Sequence, residues 1–364
     1  MVVLFPWPGV AHNLRMDRRI SSFLAQLLSI GAAGALALAC SSGDGSTGDG
    51  GGGDDDGAVP GDDGGTNPGS DGGTNPGSDG GTNPPPDSGT PQPPPGAVYG
   101  AKCTILDANE SKATDEVAVV RGKAKLPAMN CSDAITKAGR NHSSYIGQNG
   151  WALTHTEVQN KPGFTGVNFW DRMTYAGYKG SAAFEVVHST SDAHQAITGQ
   201  NGWINTLYHR IPFVAYGTLD FGFGAASGNG GATSTTDFGS GNTFSKTAVT
   251  TWPPDGDTGV WTTFHNAYES PNPLPNQQVA GYPITVIGGG ALAITTHDVT
   301  QNGAAVDHIM MNSSNDPVKL IPASQVYLIP KTPLSKNATY KTHVAGTVSG
   351  SAFDVTFSFT TGAI

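Results

Sequence analysis

The sequence predicts an α+β protein in which helices come first and an all-β part comes last. Three observations predict it. Between residues 132 and 147, apolar residues recur at three- and four-residue steps, as they do on one face of a helix. From about residue 281 onwards, short β-branched stretches alternate between apolar and polar positions and are separated by turns. The composition becomes that of a globular protein only at Val98, so folding is expected to begin there.

An export signal is predicted over residues 1–39, with a lipid anchor at Cys40. Three arginines precede an uncharged run over residues 20–39, which is the order of a secretory leader, and Met16 is the expected start. Residues 36–40 resemble a bacterial lipobox, in which the cysteine is acylated. An uncleaved membrane span is the alternative. The protein is therefore expected on the bacterial envelope, in the outer membrane or at the cell surface.

Residues 40–97 are predicted to be a disordered linker. They consist almost entirely of Gly, Asp, Ser, Thr, Asn and Pro, and the same eight-residue unit starts at Gly64 and Gly72. Without aromatic or basic residues, such a segment cannot bury enough surface to offset the entropy lost on ordering. Its ten Asp residues equal the net charge of −10 of the whole chain. The folded part is therefore nearly neutral, which argues against nucleic acid as a partner.

The cysteines predict one disulfide. If Cys40 is acylated, Cys103 and Cys131 remain as an even pair in an oxidising compartment, where a disulfide is the default. Two unpaired buried thiols are the alternative. The sequence contains no Cys-x-x-Cys, which excludes a zinc site built from cysteines.

Between residues 98 and 255 the patterns predict helices followed by strands. The clearest helix runs over 132–147, with Ser132 or Asp133 as its N-cap. Three further helices are predicted over 115–123, 171–178 (closed by Gly177) and 192–207. Strands are predicted over 213–223 and 244–252, and a glycine-rich loop is predicted between them over 225–242.

Four segments of this region, in this order, resemble bacterial CAP domains, which are the SCP-like, antigen 5 and pathogenesis-related proteins. They are the helix with His142, the histidine His155, the block Asp171-Arg172-x-x-x-Ala176-Gly177-Tyr178, and the block from Trp203 to His209-Arg210. A closing glycine-rich strand is matched by residues 221–224. The resemblance covers roughly residues 110–255 and implies an α-β-α sandwich, so residues 98–255 are assigned to a CAP-type domain.

The resemblance implies a groove lined by two histidines, which correspond to His155 and His209. In several family members this pair holds a divalent metal, and imidazole ligands with a carboxylate suit Zn²⁺. Glu185 is the best match to the first acidic residue of the family, although its flanking Gly and Asn are missing. Thr206 stands at the second acidic position. Glu157 is an alternative acid, because an extended loop would place it on the same face as His155.

The other histidines and the tryptophans of this region are expected to have structural roles. His142 lies on the apolar face of its helix and is expected in the core. Trp203 is expected in the core as well, and His188 and His194 are expected at the surface. The chain contains no Gly-x-Ser-x-Gly, His-Glu-x-x-His or Walker sequence, which removes the usual signatures of hydrolases, zinc proteases and nucleotide-binding proteins.

The C-terminal part resembles bacterial Ig-like domains. Strands are predicted over 282–287, 291–296, 326–329, 339–347 and 353–360. The leucine-proline phrase at residues 326–334 and the terminal Phe-Thr-Thr are usual marks of such domains. Residues 281–364 are therefore assigned to an Ig-like domain, and residues 256–280 to a proline-rich connection.

Three functions follow as hypotheses. The first is binding of a lipid, glycan or protein outside the cell by the histidine groove. The second is metal-dependent hydrolysis of peptide or wall material, with His155 and His209 as metal ligands and Glu157 or Glu185 as general base. The third is a structural or adhesive role without a working groove.

Overall fold

The computed structural model describes residues 93–104 and 106–363, and all of them belong to one compact unit. The predicted leader, Cys40 and most of the predicted linker lie outside these residues. The described part is α+β, and none of its helices is long and apolar enough to cross a bilayer. Its α-helices are α1 Ala108–Lys123, α2 Asp133–Gln148, α3 Phe169–Ala176, α4 Ala193–Ile197 and α5 Arg210–Val214.

Strands of the described residues form four sheets. In chain order the strands are β1 Asn130–Cys131, β2 Ser181–His188, β3 Thr218–Gly228, β4 Gly231–Ser240, β5 Val249–Trp252, β6 Asp257–Val260, β7 Thr263–His265, β8 Val279–Gly281, β9 Ile284–Gly288, β10 Leu292–Gln301, β11 Ala304–Ala305, β12 His308–Met311, β13 Gln325–Pro330, β14 Thr339–Val348 and β15 Ser351–Thr361.

We name the sheets by their place in the molecule. The helix-flanked sheet has the order β1-β3-β4-β2, the inner sheet β12-β13-β9-β5, and the outer sheet β11-β10-β14-β15-β6. Strands β7 and β8 form a separate hairpin. Pairing is antiparallel except for β1 with β3 and β6 with β15. The inner and outer sheets include β5 and β6, so they begin before residue 281.

Helix α2 packs closely on the helix-flanked sheet because two glycines of β3 face it. A Cβ atom at Gly222 would lie 2.1 Å from the backbone nitrogen of Thr136, and one at Gly224 would lie 2.0 Å from that of Arg140. The phenylalanines that alternate with these glycines are buried on the opposite face of the strand. The Phe-Gly-Phe-Gly sequence thus lets a helix approach one face while two aromatic rings fill the other.

Helices cover both faces of this sheet. On the face of the glycines, α2 contacts β3 and β4, and α3 contacts β2. On the other face, the phenylalanines of β3 share one hydrophobic cluster with side chains of α1, α4 and α5, namely Val117, Ala196, Ile197 and Phe213. The C-terminal end of β2, the loop before α3 and the turn before α5 therefore lie next to one another.

Local signals explain where the helices begin and end. The Ser132 side chain accepts a hydrogen bond from the backbone of Ile135 at the start of α2, and Gly177 closes α3 in the left-handed conformation, both as predicted. Helix α1 begins earlier than predicted, because Asp107 and Glu110 form a capping box.

Three predicted elements differ from the structure. The helix predicted over 192–207 is only α4 plus a 3₁₀ turn, Trp203–Asn205, because two glycines lie between them. The first residues of the strand predicted over 213–223 belong to α5, whose Pro212 is tolerated in a first helical turn. The loop predicted over 225–242 is mostly β4, which pairs with β3 across a two-residue Asn-Gly turn.

The C-terminal sheets share buried cores with each other and with the helical part. Ile284 and Leu328 of the inner sheet lie in one hydrophobic cluster with Val344 and Phe357 of the outer sheet. Tyr327 and Ile329, which alternate with Leu328 on β13, lie in a second cluster that includes Leu207, Tyr208 and Ile211. The inner sheet is therefore buried on both faces and packs against the segment that carries His209.

A disulfide joins Cys103 to Cys131, as predicted. It ties the start of the described chain to β1, which pairs with the central strand β3.

Candidate functional site

A cavity of about 320 Å³ is lined by three histidines, which are His155, His188 and His209. The rest of its lining is uncharged. Hydroxyl and amide groups come from Thr154, Ser189, Asn201, Thr206 and Ser270, and apolar groups come from Leu153, Val187, Trp203 and Tyr268. Tyr268 is 71% exposed and Leu153 is 47% exposed, so both present apolar surface to solvent beside the cavity.

The loop that carries His155 is held in place by the buried side chains of His142, Glu157 and Arg172. His142, fully buried as predicted, contacts the Thr154 carbonyl through Nε2 (2.8 Å) and Glu157 Oε1 through Nδ1 (3.0 Å). The Arg172 guanidinium donates to the His155 carbonyl oxygen (3.3 Å). These contacts fix the backbone on both sides of the His155 side chain.

The ring of His155 is oriented by Glu185. His155 Nδ1 lies 2.9 Å from Glu185 Oε1, and Arg172 donates to the other carboxylate oxygen. Burial alone would raise the pKa of Glu185, but the positive charge of Arg172 and the nearby histidines hold it well below its usual value. Glu185 is therefore ionised, so Nδ1 of His155 carries the proton and donates it. The His155 side chain lines the cavity, and Nε2 is its ring nitrogen that does not contact Glu185.

His209 is oriented in the same way by Glu269. Its Nδ1 lies 3.1 Å from Glu269 Oε1. The same carboxylate accepts hydrogen bonds from the backbone nitrogens of Leu207 (2.8 Å), Tyr208 (2.5 Å) and His209 (3.2 Å). Glu269 therefore holds both the turn that precedes α5 and the ring at its start. Both histidines line one cavity, and each contacts a buried glutamate through Nδ1.

His188 is the third histidine of the cavity, although it was predicted at the surface. It is half-buried, its ring packs edge-on against Trp203, and its Nε2 donates to the Asn201 carbonyl oxygen (3.3 Å). Burial, opposed in part by this hydrogen bond, lowers the pKa of His188, and His209 lowers it further. Burial lowers the pKa of His155 as well. Both rings are therefore neutral at pH 7.

A second carboxyl group lies behind Glu185. Asp237 is directly opposite Glu185 in the pairing of β2 with β4, and it is fully buried. Burial and the negative charge of Glu185 raise the pKa of Asp237 well above its usual value. No described donor bonds to its oxygens, and its proton can be shared only with the Glu185 carboxylate, which adds to the rise in the pKa of Asp237. Asp237 is thus a neutral acid next to an ionised one.

The structure brings together some of the predicted site residues and separates others. His155 and His209 line the same cavity, and Glu185 lies behind His155 rather than in the lining. Glu157 does not reach the cavity, because the chain bends at His155 and the Glu157 side chain turns inward. There it accepts hydrogen bonds from the backbone nitrogens of Thr165 (2.6 Å) and Gly166 (3.3 Å).

Glu269 was not among the predicted site residues. It lies in the segment predicted as a proline-rich connection, far along the chain from His209. One signal in the sequence points to it, because Glu269 is the only acidic residue between Asp257 and Asp298. An isolated acidic residue in a segment that must cross a core needs a buried partner.

The two histidine–glutamate pairs fit a metal ion in one respect. A histidine ligand usually donates its second ring N–H to a carboxylate, which fixes the tautomer. His155 does so, and His209 Nδ1 lies at hydrogen-bond distance from Glu269, so in both rings Nε2 is the nitrogen that does not contact the carboxylate. Within residues 93–104 and 106–363, no group of three His, Cys, Asp or Glu side chains is arranged to hold a metal ion.

No protein-family model and no curated protein matches the chain. Solved structures similar to part of it include an extracellular protein containing an SCP domain from Bacillus anthracis strain Ames (18% identity, 36% of this chain, 40% of that chain, TM-score 0.29). Another is an outer surface protein of Borrelia burgdorferi (19% identity, 37% of this chain, 96% of that chain, TM-score 0.30). The match thus spans less than half of the Bacillus chain. Neither likeness is close enough to support an argument about function.

Proposed function

We propose that this is an exported, lipid-anchored CAP-type protein that binds an uncharged polar ligand, most simply a glycan unit, in the three-histidine cavity. The observation that carries the proposal is the convergence of His155 and His209. They come from separate segments and line one cavity, and each is oriented by a buried glutamate. The order of the sequence blocks around them supports the CAP-type assignment.

The chemistry of the lining favours a neutral ligand rich in hydroxyl groups. The described lining residues include no Lys, Arg, Asp or Glu, so a phosphate or carboxylate would find no opposite charge. The Nε2 lone pair of His155, whose Nδ1 carries the proton, accepts hydrogen bonds from hydroxyl groups, and the His209 ring can also hydrogen-bond to them. The exposed ring of Tyr268 offers an apolar face at the rim. The volume lies at the lower end of the range for small-molecule sites.

Saturation-transfer NMR with the neutral disaccharide N,N′-diacetylchitobiose as probe tests this proposal. We expect transfer in the wild type, and its loss in Tyr268→Ala and His209→Gln. Tyr175→Ala is the matched control, because Tyr175 is a similarly exposed aromatic residue (64%) outside the cavity lining. Transfer that persists unchanged in both cavity variants would contradict the proposal, as would binding of a sulfated disaccharide in preference to the neutral one.

A divalent metal is the alternative occupant in this proposal, because it would take the same Nε2 atoms in place of the ligand hydroxyl groups and would bring a positive charge into the cavity. His155 and His209 would hold it through Nε2, with Glu185 and Glu269 as the outer carboxylates. Such an ion would act as a Lewis acid that polarises a ligand oxygen. Calorimetric titration with Zn²⁺ should show binding that weakens as the histidines become protonated. Equal affinity in the wild type and in the double variant His155→Gln/His209→Gln would remove the metal from the proposal.

The hydrolase hypothesis receives less support from the geometry. It requires a carboxylate beside the Nε2 edges of the rings. Glu185 contacts the Nδ1 edge of His155, and Glu157 contacts His142 in the interior. Binding is therefore the function that we propose.

A further inference from the structure

A second histidine pair lies far along the chain from the cavity residues, where the inner and outer sheets meet. His297 is on β10 of the outer sheet, and His308 is on β12, the edge strand of the inner sheet. His297 Nδ1 lies 2.9 Å from His308 Nε2, and the ring centroids are 5.1 Å apart at an interplanar angle of 72°. Both side chains are partly buried. The pair therefore joins two sheets at an accessible edge.

One of the two nitrogens already presents a lone pair. His308 Nδ1 lies 2.8 Å from the Val306 carbonyl oxygen, which can only accept, so the proton of His308 is on Nδ1. Its Nε2 therefore carries the lone pair that accepts the hydrogen bond from His297 Nδ1. A backbone carbonyl that fixes the tautomer of a ring in this way is a typical outer-shell partner of a histidine metal ligand.

We propose that His297 and His308 form a binding site for a divalent transition-metal ion. The ion takes the place of the shared hydrogen bond and is held by His297 Nδ1 and His308 Nε2, with water in its other positions. The proton of His297 then resides on its Nε2, so both rings stay neutral and no net proton is released. Nothing in the proposed function of the cavity depends on this site.

The distance between the nitrogens favours particular ions. Two nitrogens 2.9 Å apart, each about 2.05 Å from an ion, subtend an angle of about 90°. A tetrahedral Zn²⁺ would need the same nitrogens about 3.3 Å apart. An angle near 90° suits adjacent positions of a square-planar or octahedral ion, which is the preference of Cu²⁺ and Ni²⁺ with nitrogen ligands. The site is therefore expected to bind Ni²⁺ in preference to Zn²⁺.

The test uses the full chain without a histidine tag and with His155→Gln, His188→Gln and His209→Gln, so that none of the three cavity histidines can contribute. In this background we expect calorimetry to show one Ni²⁺ per chain. His297→Gln and His308→Gln should each lower the affinity more than about tenfold, because each removes one of two protein ligands. His343→Gln is the matched control, since His343 is a partly exposed histidine on β14 that pairs with Asp354.

Two results would overturn the site. One is equal Ni²⁺ affinity in the His297, His308 and His343 variants, and the other is Zn²⁺ binding tighter than Ni²⁺. Electron paramagnetic resonance of bound Cu²⁺ in the same background keeps His297 and His308 in place, so its result does not depend on how their variants fold. Hyperfine coupling to two imidazole nitrogens is expected, and a spectrum without nitrogen coupling would contradict the proposal. Because the cavity histidines are absent, this outcome is independent of the Zn²⁺ titration of the cavity.

Discussion

Glu269 joins the C-terminal part of the chain to the turn that carries His209. Glu269→Ala would leave three backbone N–H groups of residues 207–209 without their acceptor. Each buried donor without a partner costs about 1–3 kcal/mol, so we expect unfolding in urea to show a loss of at least about 2 kcal/mol. Glu116→Ala is the control, because Glu116 pairs with a half-exposed His194 and its loss should cost about 1 kcal/mol or less. Equal losses in the two variants would contradict the role of Glu269.

Asp237 should make the stability of the protein depend on pH in an unusual direction. Its pKa is raised by burial and by Glu185, so the folded state keeps a proton that the unfolded chain releases near pH 4. This contribution to stability is present at low pH and is lost as the pH rises through the folded-state pKa. The slope reaches about 1.4 kcal/mol per pH unit where only the folded state is protonated.

Asp237→Asn removes this titration and keeps an amide that can donate toward Glu185. The free energy of unfolding of the variant, relative to the wild type, should therefore rise between pH 5 and pH 8. Taking the difference cancels the titration of the histidines and of Glu185. Asp307→Asn should show no such trend, because its side chain is 76% exposed and pairs with Lys331, which does not titrate between pH 5 and pH 8. A difference that is constant with pH would show that Asp237 is not held protonated.

Sequence reasoning found the residues of the cavity whose neighbours form a recognisable block. His155 and His209 were found in this way, because short-range order along the chain identifies them. Glu269 and His188 were missed, since their roles come from contacts between distant segments. Glu157 was expected in the groove because the loop was assumed to be extended. The chain instead bends at His155, and the Glu157 side chain is buried.

The contact between α2 and β3 depends on the absence of side chains at two positions. In Gly222→Ala and Gly224→Ala the new methyl group would meet the backbone of α2 at about 2 Å, and backbone cannot rotate away. Overpacking of this kind costs about 1–3 kcal/mol or more, which thermal unfolding would detect. Gly228→Ala on the same strand is the control, because its methyl group meets only the Trp151 side chain at 3.3 Å. A loss in Gly228→Ala as large as in Gly222→Ala would contradict this account.

Elements with strong periodicity were predicted well, and elements decided by turns or packing were not. Helix α2 carries its own signals, an apolar stripe and a capping serine, so it is readable locally. Strand β4 is rich in Gly, Ser and Thr and resembles a loop by composition. Its buried position between β2 and β3 comes from pairing, for which the Asn-Gly turn at residues 229–230 was the only local sign.

At the scale of the whole molecule, the helical part and the C-terminal sheets share buried surface. Tyr327 donates to the Leu207 carbonyl oxygen (3.1 Å), and Gln325 donates to that of Ile211 (3.1 Å). A fragment of residues 98–255 would lose these contacts, the inner sheet and Glu269. We expect it to show poorly dispersed amide NMR signals, whereas residues 98–364 should show one cooperative thermal transition. A well-dispersed spectrum from the short fragment would establish an independent first domain.

The proposed anchor makes a separate prediction for the intact protein in cells. Cys40→Ala should abolish acylation and either release soluble protein or trap the precursor. Membrane fractionation combined with mass measurement of the product distinguishes these outcomes. If the variant remains in the membrane fraction and its mass still includes the leader, Cys40 is not the lipid site and an uncleaved span is the better explanation.

The disulfide between Cys103 and Cys131 also has a mechanical consequence. When the chain is pulled from its N-terminal side, tension passes from Cys103 through the sulfur atoms directly to β1. The sequence separation of 28 residues between the cysteines includes α1, which therefore stays slack under load. Force acts first on the backbone hydrogen bonds that Val98, Gly100 and Ala101 make with Ala118, Met129 and Cys131, and after these open it acts on the hydrogen bonds between β1 and β3. Reduction would add about 95 Å of extensible chain, at roughly 3.4 Å per residue, so the redox state sets how far the cavity can be drawn from the lipid anchor proposed at Cys40.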